Sequence, residues 1–296
     1  MKDIQRISQL LSMSYNTNST ARVLAITDQI LELDHDNPEA LILKADRING
    51  EDKKIALLKR ALASLNEPEN ENYRDREFLL FEVNEGLALM HFVKENFPES
   101  FRYCSEAMKI LEEHEEFRDS AEDDGYLKSV YYRVMIELQE WQKILSEAMR
   151  DEEHNTAWAY SRLISAYMIA PEQTNIYANM FWDLLRISPD VPFYMLGYYD
   201  EPDDDADAEM TEDFNFALMF YDTLRISEDF RNWFNRGTIL FGLLTNRFDS
   251  REHDYMIDAL DVLGGYDEYE SMSGKIVEGD DEAVIEMLAA NRCMTE

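Results

Sequence analysis

Apolar residues recur three and four positions apart along almost the whole chain. This spacing is typical of amphipathic helices, whereas a half-buried strand needs strict alternation of apolar and polar residues. We find no convincing alternating stretch of useful length. The sequence therefore predicts an all-α fold. The first two apolar stripes are Ile4, Ile7, Leu10 and Leu11, followed by Val23, Ile26, Ile30 and Leu33.

The residues that interrupt the stripes predict where helices end. Asn37-Pro38 predicts the end of one helix and the start of the next, because proline is tolerated at the first helical position. Asn49-Gly50 predicts a turn. The chain contains only 10 Gly and 7 Pro, which favours long helices joined by short connections.

Two stretches in the C-terminal half are similar to each other. Residues 178–190 (ANMFWDLLRISPD) align with residues 217–229 (ALMFYDTLRISED), and nine of the aligned positions are identical. The offset of about 39 residues lies in the range of helical repeats. This match indicates a degenerate repeat protein.

The chain resembles the tetratricopeptide repeat family. Residues 29–41 (QILELDHDNPEAL) look like the junction between two such repeats. That family also places a small residue in the first helix twelve positions before a small residue in the second helix. Characteristic bulky and small residues follow four and seven positions further on. Three sets of residues hold this spacing: Ala88, Ser100, Cys104 and Ala107; Ser129, Trp141, Leu145 and Ala148; and Ser165, Tyr177, Phe181 and Leu184.

The resemblance implies a right-handed α-solenoid of antiparallel helix pairs, with about six or seven irregular pairs. The intervals between equivalent positions in successive second helices scatter around the period of about 34 residues that is usual for the family. A helical solenoid of another repeat class is the alternative. We assign residues 1–264 to the repeat domain, and residues 265–296 to an irregular segment and a C-terminal capping helix.

The net charge of the chain limits which kinds of binding partner are expected. The 296 residues include 62 acidic and 28 basic side chains, a formal net charge of −34, but 45% are hydrophobic, which is enough to build a core. This balance argues against nucleic acid and anionic membranes, which need clustered Lys and Arg. It points to a basic partner or simply to solubility. Halophilic adaptation could also produce this charge, but the chain keeps a full complement of large apolar residues. Two acidic stretches, residues 112–124 and 200–213, are interpreted as solvated loops.

Familiar catalytic and metal-binding motifs are not found. Asp203, Asp205 and Asp207 have the alternate spacing of a calcium-binding EF-hand, but Ala208 and Phe214 occupy the positions that need Gly and Glu. The five His form no zinc motif, and the sequence lacks a Gly-rich phosphate loop. We therefore predict no catalytic residue, metal or cofactor.

The cysteine content and the N-terminal sequence indicate in which cellular compartment the protein is expected. The two cysteines, Cys104 and Cys293, lie far apart and do not suggest a disulfide framework. Cys104 sits at a core position of the repeat, so we expect an inert buried thiol. Without an ordinary signal peptide or an apolar stretch of membrane-spanning length, the prediction is a soluble cytoplasmic protein.

Partner-binding residues are predicted from two features. The family presents the first helix of each repeat on a concave groove, which implies Tyr126, Arg133 and Arg162 there, although structural ion pairs are the favoured role of both arginines. In the C-terminal half, aromatic residues lie near the second acidic stretch, and some must be exposed because adjacent pairs cannot all face inward. The candidates from this region are Trp182, Tyr194, Tyr198, Asp203, Asp205 and Trp233.

These features predict a non-enzymatic scaffold or adaptor that binds a peptide or protein through the solenoid groove. An acidic inhibitor or immunity-type protein that neutralises a basic partner is the first alternative. A carboxylate-dependent metalloenzyme is the alternative of a different class. The sequence does not determine the oligomeric state.

Overall fold

The computed structural model describes residues 2–70, 73–114, 117, 124–151, 154–203, 207–249, 251–272 and 288. Within these residues the protein is all-helical, without strands, as the apolar spacing predicts. Most helices that follow one another along the chain pack together. The chain divides into two compact units, Met1–Val134 and Met135–Glu296, which we call the first and the second unit.

The first unit consists of consecutive helices. In two places the connections follow the sequence prediction. The Asn37 side chain accepts a hydrogen bond from the Ala40 N–H at 3.1 Å and caps the next helix. Gly50 has φ +97°, a conformation that glycine adopts without strain. The helices are α1 Lys2–Tyr15, α2 Thr20–Leu33, α3 Pro38–Arg47, α4 Glu51–Leu65, α5 Arg76–Val93, α6 Phe97–Glu113 and α7 Asp124–Glu137, with a 3₁₀ turn at Pro68–Asn70.

The α5–α6 pair shows how the predicted spacing is used. The Ser100 hydroxyl donates a hydrogen bond to the Ala88 carbonyl across the pair at 2.8 Å. Small residues at these positions let two backbones approach closely. The thiol of Cys104 is fully buried in the same interface, and burial raises its pKa to about 12, so it is unreactive as predicted. Ala88, Ser100, Cys104 and Ala107 are all inaccessible to solvent.

The second unit begins inside α7, after Val134, and is also built from helices. Asn155 and Ser227 cap two of them by accepting hydrogen bonds from backbone N–H groups three residues on. The helices are α8 Trp141–Ala148, α9 Thr156–Ile169, α10 Thr174–Ile187, α11 Val191–Leu196, α12 Ala208–Phe220, α13 Glu228–Leu244, α14 Glu252–Val262 and α15 Tyr266–Met272, with a 3₁₀ helix at Tyr221–Arg225.

Aromatic rings fill the centre of the second unit. Trp233 on α13 is 1% exposed, and its ring centroid lies 4.9 Å from that of Tyr177 and 5.3 Å from that of Phe181. The Tyr160 hydroxyl forms a hydrogen bond with the Thr223 hydroxyl at 2.6 Å, so the polar end of this buried ring is satisfied. The aromatic stripes of the C-terminal half are therefore mainly core.

The second acidic stretch, residues 200–213, is only partly a loop. Its C-terminal part, from Ala208 onward, belongs to α12, because Asp207 accepts a hydrogen bond from the Met210 N–H at 2.9 Å and caps the helix. Asp213 is 6% exposed, and burial raises its pKa to about 6. The prediction of a solvated loop to residue 213 is therefore wrong: a capping Asp starts a helix despite the charge density.

Several other predicted segments fall wholly or partly outside the described residues. In the first acidic stretch, Glu112 and Glu113 end α6, whereas most of residues 115–123 are not described. The predicted capping helix near residues 280–290 is described only at Leu288, which is helical and buried. Tyr266–Met272, predicted to be irregular, is α15, with Asp267 and Glu268 in its first turn.

No helix among the described residues is long and apolar enough to cross a membrane.

Gly242 marks a close approach inside the second unit. A Cβ added to Gly242 would lie 2.8 Å from Phe248 Cζ and 2.9 Å from Phe193 Cε1. We expect Gly242→Ala to destabilise the second unit by about 1–3 kcal/mol, because the rings must shift in a packed interior. Gly197→Ala is the comparison variant. Gly197 has a φ of +75° and open space where a Cβ would lie, so an added Cβ there strains the backbone without overlapping a neighbour. Urea denaturation of both variants separates steric overlap from backbone strain, and an unchanged midpoint for Gly242→Ala would contradict the packing.

Candidate partner-binding groove

A groove of about 1380 Å³ lies within the first unit. Three parts of the chain form most of its walls: α1, the start of α3, and the segment that leads into α5 together with the first turns of α5. His114 and Phe117, which follow α6, complete the lining. The groove therefore lies where successive helices of this unit leave a concave surface.

Helix α1 contributes apolar side chains to the groove. Leu10 is buried in the core with Ile26 and Ile30 of α2. The N-terminal part of the same apolar stripe is not fully buried. Ile4 is 72% exposed, and Ile7 is partly buried. The sequence predicts one continuous core-facing stripe here, but its N-terminal end is open to the groove.

Aromatic rings line the opposite wall. Phe78 on α5 meets Phe117 edge to face, with 5.4 Å between the ring centroids. The Tyr73 hydroxyl accepts a hydrogen bond from the Asn37 side-chain amide at 3.3 Å, which fixes the Tyr73 ring beside the start of α3. Both walls therefore offer apolar surface to a bound molecule.

Glu82 on α5 is the most perturbed carboxyl group of the groove. Partial burial raises the pKa of Glu82 to about 7, and the negative charge of Asp46 adds to the shift. The carboxylates of Glu85 and Glu39 act in the same direction. Every charge that contributes to the pKa of Glu82 is thus negative, so its ionised form is not compensated.

Glu39, in the first turn of α3, belongs to the same electrostatic cluster. Burial raises the pKa of Glu39, and the charge of Asp75 raises it further, while the positive charge of Arg74 lowers it in part. Burial and the charge of Glu39 also raise the pKa of Tyr73 to about 12. The negative potential therefore extends from α3 to the wall that carries Tyr73.

The two arginines in the groove lining already have partners. Arg74 lies 3.1 Å from a carboxylate oxygen of Asp75. Arg76 donates to the Leu65 carbonyl at 3.0 Å and pairs with Glu77 at 2.5 Å. Arg74 also lowers the pKa of Glu39. Neither arginine contributes to the shift of Glu82.

Apolar surface and negative charge meet in this groove. No three His, Cys, Asp or Glu side chains are placed to hold a metal ion in the part of the chain that the structure describes. Apolar and aromatic walls beside the uncompensated carboxyl group of Glu82 match a ligand that has an apolar face and positive charge.

The predicted residues of the family groove lie elsewhere. Tyr126 on α7 is 42% exposed and Arg133 is 5% exposed, and neither lines the groove of the first unit. Arg162 pairs with Asp183 at 3.4 Å and stacks on Trp158, with 4.0 Å from its guanidinium carbon to the ring centroid. Arg162 thus has the structural ion pair that the sequence analysis favoured.

The predicted aromatic candidates of the second unit are mostly packed against neighbours. Tyr194 is 9% exposed, and the partly buried Tyr198 donates a hydrogen bond to Asn235 Oδ1 at 2.6 Å. Trp182 is partly buried and contacts Phe241 edge to face. These three side chains offer little free surface.

The prediction that Trp233 contacts a partner is wrong. Its side chain lies in the aromatic core with 1% exposure and offers no surface to a partner. The adjacent aromatic residues Phe193 and Tyr194, which the sequence analysis expected not to face inward together, are also both buried. Asp203 is exposed in the connection before α12, and Asp205 lies outside the described residues.

Sequence reasoning missed Glu39, Glu82 and the open end of α1. No motif or spacing in the sequence marks Glu39 or Glu82 as a binding residue. In a chain with 62 acidic residues, the pattern cannot identify which carboxylates are crowded together.

Comparison with protein-family models, with curated protein sequences and with solved structures finds no match to this chain. Its function is therefore inferred from its own residues.

Proposed function

We propose that the protein is a non-enzymatic interaction protein whose first unit binds a cationic, amphipathic segment of a partner protein in the groove formed by α1, α3 and α5. The single observation that carries this proposal is the meeting of apolar walls and the uncompensated carboxyl group of Glu82 in one concavity. The partner's apolar face covers Ile4, Ile7 and Phe78, while its Lys or Arg side chains reach Glu82 and Glu39.

The repeat resemblance supports this proposal. At the spacing that is typical of tetratricopeptide repeats, Ser100 and Ala88 are joined by a hydrogen bond and buried between α5 and α6. We propose that the helix pairs are degenerate repeats of this kind, arranged as a right-handed solenoid of antiparallel pairs. In such an arrangement, the first helix of each pair lines a groove, which fits the contributions of α1, α3 and α5.

Inhibition of a basic partner is the second candidate function. The same carboxylates favour it, because an acidic groove that covers a cationic surface blocks what that surface binds. A stoichiometric loss of the partner's activity would distinguish inhibition from scaffolding. In either case we propose a cytoplasmic protein, in keeping with its buried free thiol at Cys104.

A peptide library displayed without sequence bias tests the proposal. After selection on the purified full-length protein, we expect sequences with Lys or Arg on one edge of an apolar helical face. We also expect binding to weaken at least about tenfold between 50 and 500 mM salt, because exposed charge pairs are screened. Enrichment of acidic or uncharged sequences would contradict the proposed partner chemistry.

A groove variant supplies the control for this selection. Ile4→Ser removes a side chain that is 72% exposed, so its stability should change by less than about 0.5 kcal/mol. The selected peptides should bind this variant at least about threefold more weakly, because an apolar contact is lost. Equal binding to both proteins would show that the peptides bind outside the groove.

A further inference from the structure

Helix α12 in the second unit leaves an apolar stripe uncovered. Met210 is 39% exposed, Leu218 is 54% exposed, and Tyr221 in the following 3₁₀ helix is 46% exposed. Spacings of eight and three residues place these side chains on one side of the helix, next to the partly buried Phe214. The opposite side packs inward through Phe220, which is inaccessible to solvent.

The internal repeat provides a reference for this stripe. Helix α10 carries the matching residues 178–187, and Phe181 and Phe220 occupy equivalent, fully buried positions. The position equivalent to Leu218 is Asn179, which is also exposed. The same helical position therefore carries a polar residue in one copy and a large apolar residue in the other, so the architecture itself does not require Leu218.

Charge around the stripe restricts what can cover it. Residues 200–222 contain ten acidic side chains and no Lys, Arg or His. The nearest basic residue along the chain, Arg225, stacks over the Tyr221 ring and pairs with Asp222, so the excess of negative charge lies at the N-terminal end of the stripe. Asp203 is exposed, and so is Asp207, whose side chain accepts a hydrogen bond from the Met210 N–H at the start of the stripe. A second copy of the chain would bring the same acidic segment against itself, and like charges at that density oppose such a contact. A partner with basic residues around an apolar face has the complementary pattern.

We infer that the α12 stripe of Met210, Phe214, Leu218 and Tyr221 is a second docking surface, which binds a basic amphipathic helix of a partner protein. The 13 residues of α12 span about 20 Å, so about four turns of a partner helix can lie along the stripe. This surface lies in the second unit, and it goes beyond the function proposed for the groove of the first unit. Two such surfaces would let one chain hold two segments.

The test uses a synthetic helical peptide of about 14 residues, built from Leu and Lys so that Leu occupies one face. A peptide of the same composition in scrambled order serves as the control. Backbone hydrogen exchange of the full-length protein locates the binding. We expect the amphipathic peptide to slow exchange across residues 207–225 at least about threefold, and we expect the scrambled peptide to do so much less.

Leu218→Asn is the decisive variant, since it copies the residue that α10 carries at the equivalent position. We expect it to remain folded and to weaken the effect on residues 207–225 about tenfold, because one buried Leu is lost from the contact. Asn179→Ala, on the matching helix, should leave the effect unchanged. The double variant Glu39→Gln/Glu82→Gln in the first unit should also leave it unchanged.

Three outcomes would overturn the inference. One is the absence of slowed exchange in residues 207–225, and another is an equal effect in wild type and Leu218→Asn. The third is a dimer in sedimentation velocity that Leu218→Asn dissociates, which would make a second copy the occupant. None of these outcomes bears on the groove of the first unit, because binding there is read from residues 2–16 and 76–93.

Discussion

Trp233→Ala is expected to destabilise the second unit by about 3–5 kcal/mol, the usual loss for a buried large aromatic side chain. Trp233 is 1% exposed, and it contacts Tyr177 and Phe181 on α10 as well as Tyr167 on α9. Truncation removes contacts between three helices at once and leaves a cavity that rigid rings cannot fill.

Tryptophan fluorescence during urea denaturation measures this loss. All four tryptophans lie in the second unit, so the three that remain in the variant report on its unfolding. Tyr221→Ala is the control, because Tyr221 is 46% exposed and its removal should change stability by less than about 0.5 kcal/mol. Equal, small effects of the two variants would place Trp233 at the surface, as the sequence analysis predicted.

Glu82→Gln is expected to stabilise the first unit by about 1–3 kcal/mol at pH 8 and to have little effect at pH 5. The pKa of Glu82 is raised to about 7 in the folded protein, above the usual value near 4.5. The folded chain therefore holds this proton more tightly than the unfolded chain does. The stability that protonation contributes is present at low pH and is lost as the pH rises through about 7.

Thermal unfolding of wild type and variant, followed by circular dichroism from pH 5 to pH 8, measures this difference. Glu99→Gln is the matched control, because a hydrogen bond from Arg102 lowers the pKa of Glu99. Both side chains of that pair are exposed, so its loss should cost less than about 1 kcal/mol. A pH-independent effect of Glu82→Gln would mean that this carboxyl group is not crowded by its neighbours.

The protonation of Glu82 should also affect the binding of a cationic peptide. A cation in the groove favours the ionised form of Glu82, so binding releases the proton that Glu82 holds below pH 7. We expect affinity for a cationic amphipathic peptide to be about tenfold weaker at pH 6 than at pH 8. In Glu82→Gln this pH dependence should be largely absent. Affinity that rises as the pH falls would contradict a cationic ligand at this carboxylate.

Local features of the fold could be predicted from the sequence because each depends on a few neighbouring residues. Asn37-Pro38 places a cap and a first helical residue together, and Asn49-Gly50 supplies the glycine that a positive φ requires. The pair of Ala88 and Ser100 was also recognisable, because small residues at a fixed spacing mark close helix packing. These features, with the apolar periodicity, are sufficient for the all-helical prediction.

The candidate site could not be predicted in the same way, because it depends on which faces remain uncovered after packing. Ile4 and Leu10 belong to one apolar stripe, yet one is 72% exposed and the other 8%. Trp233 and Tyr221 are both aromatic residues of the C-terminal half, and only the packing of α9, α10 and α13 shows which one is core. The crowding of Glu82 with Glu39 and Asp46 joins residues from two helices that the sequence separates.

The first-unit groove is tested most directly by backbone hydrogen exchange with the Leu and Lys peptide. Our account predicts that the peptide slows exchange in residues 2–16 and 76–93 at least about threefold at pH 8. It also predicts that Glu39→Gln/Glu82→Gln removes most of this effect, since the charges that attract the peptide are lost. Unchanged exchange in both segments, or an equal effect in the double variant, would contradict a cationic segment bound in this groove.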